Sequence, residues 1–259
     1  MALPTQQEGV KAFLKLFRQT ARERHRFEVF QDFVTLTACS LNNAILKDEL
    51  REQEYMDLIG KYRPEDQQRF PELLGILVTL LNLQPRDVLG QLYMELELGN
   101  EANGQFFTPP ELSEMMARMT DIDALLQDRE FITLSEPTCG AGGMVLAFVK
   151  TMIDKGYNPG TQLWVQCIDL DRTSALMGFI QLSLWNVPAE IIVGNTVSLE
   201  FRERWYTQRH VLGLWSSKLG RHRAHPASEP QKPAPPLETK VEPIDVEMAP
   251  LREQLGFDF

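Results

Sequence analysis

The stretch Leu134-Ser135-Glu136-Pro137-Thr138-Cys139-Gly140-Ala141-Gly142-Gly143-Met144 decides the fold. β-prone residues (131–134) lead into it and apolar residues (145–149) follow it, so the pattern predicts a strand, a glycine-rich turn and a helix. Small residues let the turn backbone approach a ligand, and the helix N-terminus offers unpaired N–H groups and a partial positive charge. An ordinary strand-to-helix connection has the same pattern, so the flanking sequence must decide whether this turn binds a ligand.

Composition indicates a globular protein with a sizeable core, because 43% of its 259 residues are hydrophobic. No apolar run is long enough for a membrane helix. Charged residues interrupt the apolar N-terminus at Glu8, Lys11 and Lys15, where a signal peptide would be continuous. We therefore expect a cytoplasmic protein that does not bind membranes.

Cysteine spacing and net charge bear on the class of ligand. The three cysteines, Cys39, Cys139 and Cys167, show no CxxC spacing, so the sequence predicts neither a disulfide framework nor a metal site. The formal net charge of −10 argues against a protein that grips DNA alone over its whole surface, because phosphate neutralisation dominates that affinity. We interpret the local basic clusters near residues 18–26 and 202–223 as solvated helix faces.

Helical periodicity dominates the first hundred residues. Val10, Phe13 and Phe17 fall on one face, and further helices are predicted over 71–82 and 85–97. Residues 1–98 are therefore predicted to form a helical layer.

A loop rich in turn formers follows and ends by starting another helix. Thr108 suits the N-cap, Pro109 the first helical position and Glu111 a capping box. The next apolar face is interpreted as core and comprises Leu112, Met115, Met116 and Met119.

Two more β-prone runs follow the glycine-rich turn, over residues 162–168 and 189–193, with an amphipathic helical pattern between them. This alternation predicts a parallel α/β sheet of right-handed βαβ units, in which ligands bind at the carboxyl ends of the strands. Asp169 follows the second run and can accept hydrogen bonds from both ribose hydroxyls of a nucleoside. Asn195 follows the third run and can reach an adenine amine.

The composition changes near residue 220. Repeated prolines and few large apolar residues predict an extended, disordered tail over 221–259, after a core over 99–220. The last apolar residues favour a frayed terminus, with a short protein-binding motif as the alternative: Leu251, Leu255, Phe257 and Phe259.

Two motifs in this order resemble the modification subunit of type I restriction-modification systems, in the N6-adenine DNA methylase family. They are Gln105-Phe106-Phe107-Thr108-Pro109 and Glu136-Pro137-Thr138-Cys139-Gly140-Ala141-Gly142-Gly143. The resemblance implies a truncated Rossmann-like methyltransferase sheet, S-adenosylmethionine as cofactor, DNA as substrate and a partner specificity chain.

The resemblance also implies a role for each matched residue. The first motif would cover the methionine end of the cofactor, 138–140 would form the floor, Asp169 would bind the ribose and Asn195 would lie near the adenine. The implied cofactor-binding set is Gln105, Phe106, Phe107, Thr108, Pro109, Pro110, Glu136, Pro137, Thr138, Cys139, Gly140, Ala141, Gly142, Asp169 and Asn195.

The family's catalytic motif is missing. It consists of Asn or Asp, then Pro-Pro, then an aromatic residue, and it binds the amine of a flipped-out adenine and stacks on its ring. Pro-Pro pairs occur here only at 109–110 and 235–236, and the expected position reads Phe201-Arg202-Glu203-Arg204-Trp205-Tyr206-Thr207-Gln208-Arg209-His210. No catalytic residue is therefore assigned.

Three hypotheses about function remain open. In the first, the chain is an adenine-specific DNA methyltransferase in which Asn195 with Trp205 or Tyr206, or a second chain, holds the target amine. In the second, it is a cofactor-binding interaction or anti-restriction module without catalysis, which the missing amine-binding group favours. In the third, it is an α/β enzyme for another nucleotide.

Overall fold

The computed structural model describes residues 5–96 and 108–224. The described helices are α1 (Gln6–Gln19), α2 (Arg26–Asn43), α3 (Glu49–Ile59), α4 (Pro64–Leu81), α5 (Val88–Glu95), α6 (Pro110–Met119), α7 (Ile122–Leu126), α8 (Gly143–Asp154), α9 (Pro159–Gln162), α10 (Arg172–Leu184), α11 (Gln208–Leu212) and α12 (Trp215–Ala224). The described strands are β1 (Ile132–Glu136), β2 (Leu163–Asp169), β3 (Ala189–Asn195) and β4 (Glu200–Tyr206).

The N-terminal helical layer is held by aromatic side chains. Phe13 and Phe17 of α1 are fully buried, as their spacing predicts, and they pack edge-on against α2. The ring centroids of Phe13 and Phe33 lie 5.6 Å apart, and those of Phe17 and Phe30 lie 6.0 Å apart. Aromatic pairs in this geometry add to the stability gained by burying their area.

One predicted helix boundary in this layer is wrong. The helix expected to begin at Pro71 begins at Pro64, with Arg63 as its N-cap, and Pro71 lies inside it. Proline suits the first helical turn, where its missing N–H leaves no hydrogen bond unmade. Leu73 and Leu77 are fully buried beyond Pro71, so tertiary packing holds the helix across the proline.

The strands form one mixed sheet in the order β1-β2-β3-β4. β1, β2 and β3 are parallel, as predicted, whereas β4 runs antiparallel to β3. The sequence analysis did not predict β4, whose residues it assigned in part to a solvated helix face. The tight turn after Asn195, whose side chain accepts from Val197 N and Ser198 N, reverses the chain directly into β4.

Helix α10 joins the sheet to the helical layer. Thr173 accepts a hydrogen bond from Gln31 of α2 (3.1 Å), and Arg172 forms ion pairs with Glu54 of α3 and Glu203 of β4 (both 2.8 Å). The described residues up to Ala224 accordingly form one compact α/β unit. The predicted tail over 221–259 overlaps the end of α12, which reaches Ala224, and from residue 225 onward it lies, with its terminal apolar motif, outside the described residues.

Helix α6 differs from its prediction in two ways. It begins at Pro110 with Pro109 at the N-cap, so the predicted Thr108 cap and capping box are wrong. The helix buries Ser113 and Ala117, while its methionines face outward, with Met119 78% exposed. Their assignment to the core is therefore wrong, because the small residues of α6 form its packed face.

The three cysteines are buried and free. In the parts of the chain that the structure covers, no helix combines the length and apolar character that crossing a membrane requires.

Candidate cofactor site

The candidate site lies at the carboxyl edge of the three parallel strands. Their register pairs Glu136 with Cys167 and Asp169 with Val193, so the strands end close to one another. This places the glycine-rich turn, Asp169 and Asn195 at one edge of the sheet. Pro137 O also accepts a hydrogen bond from Thr196 Oγ1 (2.6 Å), which ties the segment after β1 to the segment after β3.

The glycine-rich turn has the backbone that its composition predicts. Gly140 and Gly142 have φ values of +52° and +88°, and Gly142 is the N-cap of α8. A Cβ at position 142 would lie 3.5 Å from Gly178 Cα, which is an ordinary contact, so the left-handed backbone is what requires glycine. Cys139 N donates to Ile168 O (2.9 Å), which fixes the turn on β2.

The Asp169 carboxylate is fixed against the same turn. Its Oδ2 accepts from Gly140 N (2.7 Å) and its Oδ1 accepts from Asp171 N (2.9 Å). Burial raises the pKa of Asp169, and these backbone N–H donors only partly offset that effect. A carboxylate has about four lone-pair positions, so Asp169 keeps acceptor capacity beyond its hydrogen bonds to the backbone of residues 140, 170 and 171. A ribose hydroxyl is a donor of the kind that suits this capacity.

The oxygen and the nitrogen of the Asn195 side-chain amide differ in their hydrogen bonding. The side-chain oxygen accepts from Val197 N (2.9 Å) and Ser198 N (3.2 Å), whereas the amide nitrogen has no partner among the described residues. Asn195 is therefore better placed to donate to a ring nitrogen of adenine than to accept from its amine.

A cavity of about 210 Å³ opens between α5, α6 and the start of α8. The described part of the first motif lines it through Thr108, Pro109 and Pro110, together with Gly143 of α8. Within the described chain, two buried polar atoms at the cavity, Ser113 Oγ and Arg86 Nε, have no hydrogen-bond partner.

The cavity lining carries charges of both signs. The Arg86 guanidinium, the Ser113 hydroxyl and the positive end of α8 favour a carboxylate, whereas the carboxylates of Asp87 and Glu114 favour a cationic group. Burial lowers the pKa of Arg86, and the neighbouring Asp87 opposes that shift.

Gln181 is a site residue that the sequence analysis missed. It is fully buried, and its Nε2 donates to Asp87 Oδ1 (2.9 Å) and Ala141 O (2.8 Å). Its Oε1 accepts from Val88 N (2.7 Å) and Leu89 N (3.1 Å) at the start of α5. One side chain thus joins the glycine-rich turn to α5, and the signal was a glutamine inside an apolar helix stripe.

Trp205 and Tyr206 do not join this site. Trp205 is 1% exposed, packs on Phe179 with centroids 5.3 Å apart and carries the Arg51 guanidinium 3.8 Å above its ring. Trp205 therefore cannot stack on a base, and that hypothesis is wrong. Tyr206 pairs with Glu190, five residues before Asn195 along β3, which separates it from the candidate site by about 16 Å.

The remaining predicted site residues fall into two groups. Gln105, Phe106 and Phe107 lie outside the described residues. Glu136 and Thr138 lie in the turn region, where Glu136 Oε1 accepts from Thr138 N (3.4 Å).

The chain is similar to known proteins over part of its length. Residues 84–211 match the family model described as N-6 DNA Methylase. No curated protein matches the sequence significantly. A solved structure described as a class I S-adenosylmethionine-dependent methyltransferase, from Listeria monocytogenes, matches 70% of this chain at 14% identity and a TM-score of 0.37. The match covers 52% of that protein, so the chain spans about half its length. Over residues 84–211, the part of the chain that contains the glycine-rich turn and the three parallel strands, the chain is therefore similar to the N-6 DNA methylase family.

Proposed function

We propose that the chain binds S-adenosylmethionine at the carboxyl edge of β1, β2 and β3 and serves in adenine-specific DNA methylation. S-adenosylmethionine is the cofactor that similarity to this family implies, and it supplies an electrophilic methyl group on sulfur. The observation that carries the proposal is the 2.7 Å hydrogen bond from Gly140 N to Asp169 Oδ2. It sets a carboxylate with spare acceptor capacity beside a backbone open to close approach.

The described residues fit both ends of this cofactor. At the adenosine end, Asp169 would accept from the ribose hydroxyls, and the amide nitrogen of Asn195 would donate to the adenine ring. At the methionine end, Arg86 and Ser113 would bind the carboxylate in the cavity beside Gly143. Asp169 must be ionised for full acceptor strength, so its raised pKa makes acidification weaken binding.

Transfer to the N6 atom of adenine needs a second component. The amine must be held beside the methyl group, and effective alignment is worth several kcal/mol of the barrier. No Asn/Asp-Pro-Pro-aromatic motif occurs in the sequence, and Trp205 is buried and pairs with Ile191, four residues before Asn195 along β3. We infer that the chain is the cofactor-binding subunit of a DNA methyltransferase and that a partner chain positions the target base.

The second candidate function is a cofactor-binding interaction or anti-restriction module without catalysis. Burial of Trp205 beneath Arg51 favours it over an enzyme that acts alone. The two candidates differ in whether any partner restores methylation.

Nucleoside mass spectrometry for N6-methyladenine tests the proposal. Methylation-deficient cells would express the chain alone or with the products of adjacent genes, each beside an Asp169→Ala control. We expect methyladenine only with a partner present, and its loss in the control. Methyladenine from the chain alone would overturn the two-component assignment. None under any condition, with cofactor binding intact, would favour the non-catalytic module.

A further inference from the structure

The outer edge of β1 is open. β1 pairs with β2 on one side, and no strand among residues 5–96 and 108–224 pairs with its other side. A groove of about 250 Å³ follows this edge, and β1 contributes Ile132, Thr133, Leu134 and Glu136 to it. No residue of β2 lines the groove, so it belongs to the outer edge.

The walls of this groove, which we call the edge groove, are largely apolar. α8 contributes Met144, Val145 and Phe148 to the lining, and α6 and α7 contribute Met116 and Leu125. Met116 is 46% exposed and Leu125 is 37% exposed. Apolar side chains of this size bordering a strand edge are typical of a site where an extended segment docks.

The edge groove also carries opposite charges at its two ends. Arg129 lies before β1 and Glu136 is the last residue of β1, and neither forms an ion pair among the described residues. A strand parallel to β1 would be complementary if it began with an acidic residue and ended with a basic one. Backbone hydrogen bonds would supply affinity, and alternate apolar side chains would fill the groove.

We infer that a partner protein adds a parallel, alternating apolar strand to the open edge of β1. This inference rests on the proposed function and names the contact through which the partner acts. A parallel strand would end at the same edge of the sheet as the glycine-rich turn and Asp169. The residues that follow it would therefore emerge beside the cofactor, where the target amine must be held.

A synthetic peptide tests the edge groove directly. The probe is a fluorescein-labelled peptide of sequence Asp-Val-Thr-Val-Thr-Val-Lys, titrated with full-length protein by fluorescence anisotropy. Met116→Glu places a charge in the groove and is expected to weaken binding at least tenfold. Met119→Glu, on the same helix but outside the groove, is the matched control and should change binding less than twofold.

Charge reversal tests the direction of the added strand. The peptide with Asp and Lys exchanged should bind the wild-type protein at least threefold more weakly, and Arg129→Glu should reduce or invert that preference. No peptide binding, or equal loss in Met116→Glu and Met119→Glu, would overturn the inference.

Titration calorimetry with S-adenosylmethionine on the same samples separates this inference from the proposed function. Cofactor binding without peptide binding would overturn the inferred strand at the edge groove and leave the proposed cofactor binding standing. Peptide binding without cofactor binding would overturn the proposed cofactor binding and leave the docking of a strand at the edge groove standing.

Discussion

The two edges of the sheet, β4 and β1, differ in the side chains that they carry. The β4 edge is charged along its length, with Glu200, Arg202, Glu203 and Arg204, and its pairing with β3 is irregular at Val193 and Gly194. The β1 edge carries Thr133 and Ser135 as its exposed positions and borders an apolar groove. Charges and irregular pairing protect an edge from further strands. β4 therefore closes its side of the sheet, whereas the unpaired side of β1 is where we infer that a partner strand binds.

The largest expected effect concerns the closed edge. Trp205→Ala removes a fully packed indole between Phe179 and Arg51, and we expect it to lower the free energy of unfolding by about 3–5 kcal/mol. Urea denaturation measures it. Phe201→Ala, which truncates a 39% exposed side chain of the same strand, is the control with a smaller loss. A loss below about 1 kcal/mol for Trp205→Ala would show that β4 does not anchor the sheet.

A smaller effect is expected in how the free energy of unfolding depends on pH, through Glu190 of β3, which binds Arg204 and Tyr206 of β4. Burial opposes ionisation of Glu190, but hydrogen bonds from Gln166, Arg204 and Tyr206 outweigh it, so its pKa lies below the ordinary value of 4.5. A lowered pKa in the folded state stabilises the fold above about pH 4.5, and this contribution disappears as the pH falls through the folded-state pKa.

Glu190→Gln should therefore lower the free energy of unfolding by about 1–2 kcal/mol at pH 7 and by less in acid. Unfolding measured across pH 3–7 checks this against the wild type. A difference between the two proteins that stays constant with pH would contradict the role of the carboxylate. The pKa of Asp169 differs from its ordinary value in the opposite direction, because burial raises it.

The smallest expected effect lies in the turn after β1. Gly142→Ala places a side chain at φ +88° and should destabilise the fold by about 1 kcal/mol. Gly75→Ala, in the exposed middle of α4 with open space around the Cβ, should instead stabilise it by about 0.5–1 kcal/mol. Thermal unfolding should therefore show a lower Tm for Gly142→Ala and a higher Tm for Gly75→Ala. Changes of the same sign in both variants would contradict the assigned turn geometry.

The sequence predicted the parts of the fold that local chemistry determines. The glycine-rich turn, the three parallel strands and the positions of Asp169 and Asn195 at strand ends follow from residue type and alternation. Whether those residues bind the cofactor stays a prediction.

Tertiary contacts decided the features that the sequence could not predict. The charged sequence of β4 was interpreted as part of a solvated helix face, and that interpretation is wrong because its pairing with β3 makes it a strand. The methionines of α6 have core-like spacing, but Ser113 and Ala117 form the packed face. Gln181 joins two other segments, residues 87–89 and the glycine-rich turn, and a lone glutamine in an apolar helix does not indicate which segments it contacts.

Titration calorimetry of S-adenosylmethionine into wild-type and Asp169→Ala protein tests the central claim most directly. Asp123→Ala, which removes an exposed carboxylate paired with Lys155, is the matched control, and thermal unfolding checks that both variants fold. The account predicts wild-type binding that Asp169→Ala weakens by about 1.5–3 kcal/mol, or about 10- to 150-fold, while Asp123→Ala leaves it unchanged. Equal affinity in all three proteins would contradict a cofactor site at the carboxyl edge of β1, β2 and β3.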